Sequence, residues 1–234
     1  MRFSSQKEQE SYFKSLHYLN SGSQGECYID KNKKMVYKLL FYYEGLTKEE
    51  LLRFSYIKNK TFIWPTEEIM VGQRIVGYIM PYRKAKNLYD LNPMSINLND
   101  LEAAITKAYT DIQLITDNNV KAYDIMYNIL YSRKKFSIID TADYSSKKVD
   151  FQTNVADFDE EIKCFLVDSY FNYFVSQDKI LYNSYEEASS LEFLKEFRKS
   201  LSEYAGEDIE ILSKVKQLVR YERNAIYLRG INNE

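Results

Sequence analysis

The sequence predicts an α+β fold, with β-strands concentrated in the first third of the chain and helices in the remainder. Two pairs of short apolar runs separated by glycine-containing or polar turns lie before residue 82. Longer segments with apolar residues at helical spacing begin at Leu101 and recur towards the C-terminal end. A strand-rich part is therefore expected to precede a helix-rich part.

The first pair of strands encloses a glycine turn. In LNSGSQGECY, Gly22 and Gly25 are expected to allow close backbone approach and positive φ, so that N–H groups can face an anion. Residues 27–29 then predict a returning strand, and residues 35–40 predict the next one, with Lys38 as a lone basic residue among apolar neighbours. Taken alone, the glycine pair is better explained by an ordinary hairpin turn.

The next elements are a helix and a second hairpin. The segment 47–59 has apolar residues at helical spacing, with Thr47 as the expected N-cap and Glu50 as its capping-box partner. Alternating residues after Thr61 predict two strands joined at residues 71–73.

A helix over 101–116 is predicted to lead into a cluster of polar residues. Asp124 and Asn128 precede two short apolar runs that are joined by a basic turn at 132–135, and Asp140 follows the second run. A hairpin of these runs would place Asn128 and Asp140 at the same end, where an amide oxygen and a carboxylate can share a magnesium ion.

Two to three helices are predicted for the C-terminal part. The candidate segments are residues 155–175, 190–204 and 208–228, and Gly206 is expected to form the turn between the last two.

In this order, the glycine turn, the strand lysine, the helix glutamate and the Asp, Asn and Asp residues resemble the protein kinase fold over most of the chain. The resemblance implies a bilobal molecule. Its N-lobe would span residues 1–82, with an antiparallel sheet plus one helix, and a reduced, mainly helical C-lobe would span residues 83–234. It also implies ATP and Mg²⁺ as cofactors.

The resemblance assigns roles to particular residues. Phosphates would lie against Gly22, Ser23 and Gly25, and Lys38 would hold them while paired with Glu50, or with Glu49 as a second choice. Met80 would be the gatekeeper, and backbone groups of Pro81, Tyr82 and Arg83 would face adenine. Asp124 would orient the acceptor hydroxyl, and Asn128 and Asp140 would carry the metal.

The catalytic region departs from the kinase pattern. Asp124 and Asn128 are four residues apart instead of five, and Ala122 and Tyr123 replace the His-Arg pair. Met126 stands where a lysine is usual, and Asp140 is followed by Thr-Ala instead of Phe-Gly. The acceptor therefore stays open, with protein Ser/Thr hydroxyls preferred over a small molecule. A pseudokinase that acts through protein contacts and an enzyme that transfers AMP are the alternatives.

Composition limits the other possibilities. The formal net charge of −2 gives no electrostatic case for nucleic acid as a partner. Cys27 and Cys164 predict neither a disulfide framework nor a metal cluster, and the single histidine, His17, gives little support to zinc or Ser-His-Asp chemistry. No apolar run approaches 18 residues and no leader is apparent, so a cytoplasmic protein without a membrane span is expected. A secreted effector with a non-classical signal would look the same.

Overall fold

A computed structural model describes residues 1–42 and 45–219 of the chain. The strands are Arg2–Phe3 (β1), His17–Ser21 (β2), Gly25–Asp30 (β3), Met35–Leu40 (β4), Glu67–Val71 (β5), Arg74–Pro81 (β6), Lys86–Asn87 (β7), Val120–Lys121 (β8), Ile129–Tyr131 (β9), Phe136–Ile138 (β10) and Ser145–Ser146 (β11). The α-helices are Gln6–Phe13 (α1), Lys48–Leu51 (α2), Leu98–Asp117 (α3), Phe151–Val167 (α4), Asn172–Gln177 (α5), Lys179–Glu187 (α6) and Ser190–Ala205 (α7). The α+β class is therefore confirmed.

Six strands form the N-terminal sheet in the order β1-β5-β6-β4-β3-β2. All neighbours are antiparallel except β1, which runs parallel to β5 at the edge. The predicted hairpins are present, because β3 follows the glycine turn and β6 follows a turn at Gly72, whose φ is +60°. A positive φ is the conformation that glycine adopts without steric cost.

The two faces of this sheet bury different side chains, as the period-2 alternation of β4 requires. Tyr37 packs on the outer face, together with Phe3 and Phe13. Val36 packs on the inner face, together with Met80. Lys38, two residues after Val36, therefore emerges on the inner face, towards the helical part of the molecule.

The described residues of the N-terminal part form two helices instead of the one predicted. Helix α1 begins at the N-cap Ser5, whose side chain accepts a hydrogen bond from Glu8 N–H, and it is polar except at its C-terminal end. There Tyr12 and Phe13 pack against Phe3 on the outer sheet face. The polar sequence lacks an apolar stripe, so the hydrophobic pattern gave no sign of this helix.

The predicted helix over 47–59 is a single helical turn, α2. Thr47 and Glu50 form the expected capping box, but helical hydrogen bonding ends at Leu51. Phe54, Ile57 and Trp64 instead lie in the core of the helical part. The predicted boundary at residue 82 stays a prediction, and residues 54–64 contribute to the C-terminal core although they precede it.

The C-terminal part consists mainly of α3, α4 and α7, which pack against one another around one large core. The predicted helix over 155–175 is interrupted between α4 and α5, where Phe171 turns into the core and packs edge-on against Phe197. Helix α6 was not predicted. Helix α7 begins at its predicted position and ends at Gly206, which has a φ of +71°.

The predicted helix over 208–228 is wrong at its beginning. Ile211 forms an isolated bridge with Asn97, and a 3₁₀ turn, Leu212–Val215, follows. Ile209 and Leu212 are fully buried, so this segment packs into the core of the helical part. Residues 220–228 of the prediction lie outside the described residues. Within residues 1–42 and 45–219, no helix combines the length and the hydrophobicity needed to cross a bilayer.

Candidate functional site

Lys38 is a buried cation at the centre of the site. Its side chain is 7% exposed, and Nζ forms an ion pair with Asp140 Oδ1 and donates to Gln24 Oε1 at 3.0 Å. A buried charge is tolerated only when it is paired and hydrogen-bonded. The contacts with Asp140 and Gln24 therefore link the sheet to the glycine turn on one side and to the β9–β10 hairpin on the other.

Tyr78 completes the surroundings of this ion pair. It lies opposite Lys38 in the β4–β6 register, and its hydroxyl donates to Asp140 Oδ1 at 3.0 Å. Gly77 makes this approach possible, because a Cβ at that position would lie 2.1 Å from the carbonyl oxygen of Lys38. Burial, followed by the charge of Asp140, raises the pKa of Tyr78, so the hydroxyl stays a donor at neutral pH.

The β9–β10 hairpin brings Asn128 and Asp140 to the same end, as the spacing predicts. Ile138 pairs with Ile129, and Ile139 N–H donates to the Asn128 carbonyl at 3.0 Å. The basic turn is closed between Ser132 N–H and the carbonyl of residue 135 at 3.0 Å. The backbone of the hairpin therefore places Asn128 beside the residue that precedes Asp140.

These two residues offer the donor types that Mg²⁺ prefers. Asn128 Nδ2 donates to the Asp124 carbonyl at 2.8 Å, which leaves Oδ1 as the acceptor of that amide. No group of three or more His, Cys, Asp and Glu suited to a metal occurs among the described residues. An amide oxygen and one carboxylate fit a Mg²⁺ ion that takes its other ligands from nucleotide phosphates and water.

The glycine turn contacts Lys38 through Gln24, but its backbone conformation differs from the one predicted. Gly22 N–H donates to the Gly25 carbonyl at 3.0 Å, with Ser23 and Gln24 between them. The predicted positive φ is wrong for both glycines. Gly25 is required by packing, because a Cβ there would lie 2.0 Å from the Leu39 carbonyl oxygen, whereas nothing lies within 4 Å of a Cβ on Gly22.

Gln24 ties this turn across the site. While its Oε1 accepts from Lys38, its Nε2 donates to Asp143 Oδ2 at 3.0 Å. Gln24 therefore connects the glycine turn to Lys38 and to the segment that follows Asp140.

The loop that carries Asp124 is anchored by a buried amide. Asn154, on α4, is 2% exposed. Its Oδ1 accepts from Ala122 N–H at 2.9 Å, and its Nδ2 donates to the Val120 carbonyl at 2.8 Å and to Thr116 Oγ1 at 2.9 Å. Asp124 itself is exposed and has a φ of +50°. The loop is therefore fixed at its base and presents one carboxylate to solvent.

The end of β6 and the segment that follows it contain the predicted gatekeeper and adenine-facing residues. Met80 is buried on the inner face beside Val36. Tyr82 N–H donates to the Lys34 carbonyl at 2.9 Å, so this N–H is already engaged, and the role of Tyr82 towards adenine stays a prediction. Ala85 N–H donates to the Arg83 carbonyl at 2.9 Å, and proline lacks an N–H. The N–H groups of Arg83 and Lys84 are therefore the donors that stay free in this described segment.

No protein-family model and no curated protein sequence matches the chain. Solved structures do resemble it. The PknI kinase domain of Mycobacterium tuberculosis superposes with a TM-score of 0.50 at 12% identity, over 79% of this chain and 94% of that domain. The autoinhibited serine kinase domain of the giant muscle protein titin gives a TM-score of 0.52 at 13% identity, over 86% and 77% of the two chains. The chain has a protein kinase-like fold.

One pairing expected of a kinase-like fold is not formed. The carboxylate of Glu50 turns back to Thr47, where it accepts from the N–H at 3.1 Å and from Oγ1 at 2.8 Å. The hydrogen bond from the Thr47 hydroxyl is the main reason why the pKa of Glu50 is lowered. The predicted ion pair between Lys38 and Glu50 does not form in this structure. Glu50 is bound to Thr47 at the surface, and Lys38 pairs with Asp140 instead.

The sequence patterns did not predict three residues of this candidate site. Gln24 has no signature beyond its place in the glycine turn, and Asn154 falls just before the predicted helix at 155. Tyr78 carries a usable signal, since a glycine directly precedes it in a strand, and glycine in a strand often marks close backbone approach.

Proposed function

We propose that the protein catalyses ATP- and Mg²⁺-dependent phosphoryl transfer to a hydroxyl group, with protein Ser/Thr as the preferred acceptor. The observation that supports this most is the ion pair of Lys38 with Asp140 beneath the glycine turn, with Asn128 at the same end of the β9–β10 hairpin as Asp140. A cation, an amide oxygen and a carboxylate are the groups that position nucleotide phosphates and their metal.

In this proposal Lys38 holds phosphate oxygens, and Asn128 and Asp140 hold the metal. Mg²⁺ supplies neutralisation of the charge on the phosphates when it is bound. In the structure, Lys38 Nζ donates to Gln24 Oε1 at 3.0 Å. A bound phosphate oxygen would displace Gln24 Oε1 from Lys38. The glycine turn would then lose its contact with the lysine.

Asp124 is the group available for the acceptor. It is exposed, and its backbone carbonyl is fixed by Asn128. As the acceptor oxygen forms its bond to the γ-phosphorus, the bond from phosphorus to ADP breaks and the carboxylate accepts the hydroxyl proton. Lys121 is directed to the ring of Tyr123, 4.5 Å from its centroid, and does not replace the lysine missing at Met126.

The test is incubation of the purified chain with Mg²⁺ and ATP labelled separately at the α and γ phosphates, beside Asp140→Ala. Transfer of the γ label by the wild-type chain alone would support the proposal. Transfer of the α label would show AMP transfer. If neither label moves and nucleotide produces no thermal shift, phosphoryl transfer is refuted.

A nucleotide-binding scaffold without transfer activity is the second candidate. The closed Lys38–Asp140 pair and the absence of a cation at Met126 favour it. Mg²⁺-dependent nucleotide binding without movement of either label, in the presence of protein acceptors, would establish this alternative.

The two cysteines provide an independent test of where a nucleotide binds. Cys27 lies opposite Lys38 in the β3–β4 register, and its pKa is raised by burial, whereas Cys164 lies on α4 in the helical part. ATP with Mg²⁺ should slow alkylation of Cys27 and leave alkylation of Cys164 unchanged. Equal protection of both thiols would indicate general stabilisation instead of binding beneath the turn.

A further inference from the structure

Asp140 receives two hydrogen-bond donors on the same oxygen. Lys38 Nζ and Tyr78 Oη both contact Oδ1, and the tyrosine contact measures 3.0 Å. The ring of Tyr78 also lies 5.9 Å from Lys38 Nζ. Tyr78 is fully buried, so its hydroxyl has been removed from water to make this single strong contact with a carboxylate.

The backbone fixes this arrangement. Gly77 lets β6 lie against the Lys38 carbonyl, and the β4–β6 register places Tyr78 opposite Lys38. Bulk at residue 77 would separate the strands and move the hydroxyl away from Asp140. Glu50, the first choice from the sequence as the partner of Lys38, is engaged by Thr47 at the surface.

We propose that Tyr78 is the positioning residue of this site: through its hydroxyl it orients the metal-binding carboxylate of Asp140. The inference rests on the proposed nucleotide site. Tyr78 contacts Asp140 and acts through it.

Two donors on Oδ1 restrict rotation of the carboxylate and leave Oδ2 for a metal. Without the tyrosine hydroxyl, only Lys38 would donate to the Asp140 carboxylate. Because the lysine side chain is flexible, it would restrict the orientation of that carboxylate only weakly. Loss of such an outer partner of a metal ligand typically weakens metal affinity or activity about 10- to 100-fold.

Tyr144 offers a matched control. Like Tyr78 it is buried, at 3% exposure, but its Oη has no hydrogen-bond partner among the described residues. Tyr144→Phe therefore deletes a buried hydroxyl near the same segment without breaking a hydrogen bond, whereas Tyr78→Phe deletes one that contacts Asp140. Both changes keep the aromatic ring and its packing.

The experiment measures the Mg²⁺ concentration that gives half of the thermal shift produced by a non-hydrolysable ATP analogue. Tyr78→Phe should raise this concentration about 10- to 100-fold, while Tyr144→Phe should leave it within about twofold of wild type. Tyr78→Met, which fills the space with a flexible apolar chain, is measured beside them in case the phenylalanine variant fails to fold, and the same rise is expected for it.

Three results would overturn the inference in distinguishable ways. Equal Mg²⁺ midpoints for wild type and the Tyr78 variants, with wild-type binding intact, would refute the positioning role alone. A lower melting temperature of the free Tyr78 variants at an unchanged midpoint would assign the hydroxyl a purely structural role. Absence of any Mg²⁺-dependent shift in the wild-type chain would refute the proposed function and the positioning role with it.

Discussion

Gly25→Ala should destabilise the protein through the sheet, whether or not nucleotide binds. The added Cβ would lie 2.0 Å from the Leu39 carbonyl oxygen and 2.9 Å from its carbonyl carbon. Carbon and oxygen normally approach to about 3.3 Å, so β3 would have to move by about 1.3 Å relative to β4. Both of these atoms belong to the backbone of β4, which cannot rotate aside as a side chain does.

Two contributions set the size of the effect. Overpacking of this kind costs about 1–3 kcal/mol. The bond from Phe41 N–H to the Gln24 carbonyl, 2.9 Å long, closes the same strand end, and its loss adds about 1 kcal/mol. A total of about 2–4 kcal/mol corresponds to a fall in melting temperature of about 4–16 °C for a chain of this length.

Gly22→Ala is the matched control, because a Cβ added at residue 22 would have no neighbour within 4 Å and the φ of Gly22 is not positive. Its melting temperature should stay within about 2 °C of wild type. Thermal unfolding of the nucleotide-free proteins by circular dichroism compares the three chains. Equal melting temperatures for Gly25→Ala and wild type would refute the packing argument and return Gly25 to a role in phosphate binding alone.

Three further predictions concern the loop and its supports. Asn154→Ala should lower the free energy of unfolding by about 2–4 kcal/mol, because it leaves Ala122 N–H and the Val120 carbonyl without their partner; urea unfolding measures this, and a change below about 0.5 kcal/mol would contradict it. Asp124→Asn should retain nucleotide affinity and reduce turnover by orders of magnitude; unchanged turnover in the γ-label assay would reassign the base. Burial raises the pKa of Glu161 above its ordinary value of 4.5, with a hydrogen bond from the backbone of Tyr127 acting in the opposite direction. Because the folded-state pKa is raised, protonation of Glu161 favours the folded state. This stabilisation is complete below about pH 4.5 and is lost as pH rises through the folded-state pKa. Glu161→Gln should therefore match wild type in melting temperature at about pH 4 and exceed it at about pH 8, and a gap that widened towards low pH would show the reverse.

Local features were predictable because short-range chemistry decides them. The strand over 35–40 and the capping box of Thr47 and Glu50 depend on residues within a few positions of each other. The common end of Asn128 and Asp140 follows from the length of two short strands and one turn. Gly206 marks the end of α7 for the same reason, since a left-handed C-cap favours glycine.

Other predictions failed where distant segments compete. The apolar spacing of 47–59 is compatible with a helix, but Phe54, Ile57 and Trp64 are buried in a core contributed by residues far along the chain. The segment from 208 to 211 likewise is not helical, because Asn97 and Leu98 bond to its backbone. Periodicity alone cannot weigh such contacts against local helix formation.

The sequence by itself determined the α+β class, the order of the polar residues along the chain and the pairing of Asn128 with Asp140 at one hairpin end. Only the tertiary structure decided which partner Lys38 takes. The carboxylate of Glu50 accepts a hydrogen bond from Thr47, three residues earlier in the chain, instead of pairing with Lys38. Asp140 lies 102 residues from Lys38 along the chain, and Tyr78 is also distant in sequence. Both reach the lysine because β6 packs against β4 at Gly77 and the β9–β10 hairpin ends beneath that strand. Close approach of this kind depends on the packing of whole elements, which a local pattern of residues does not encode.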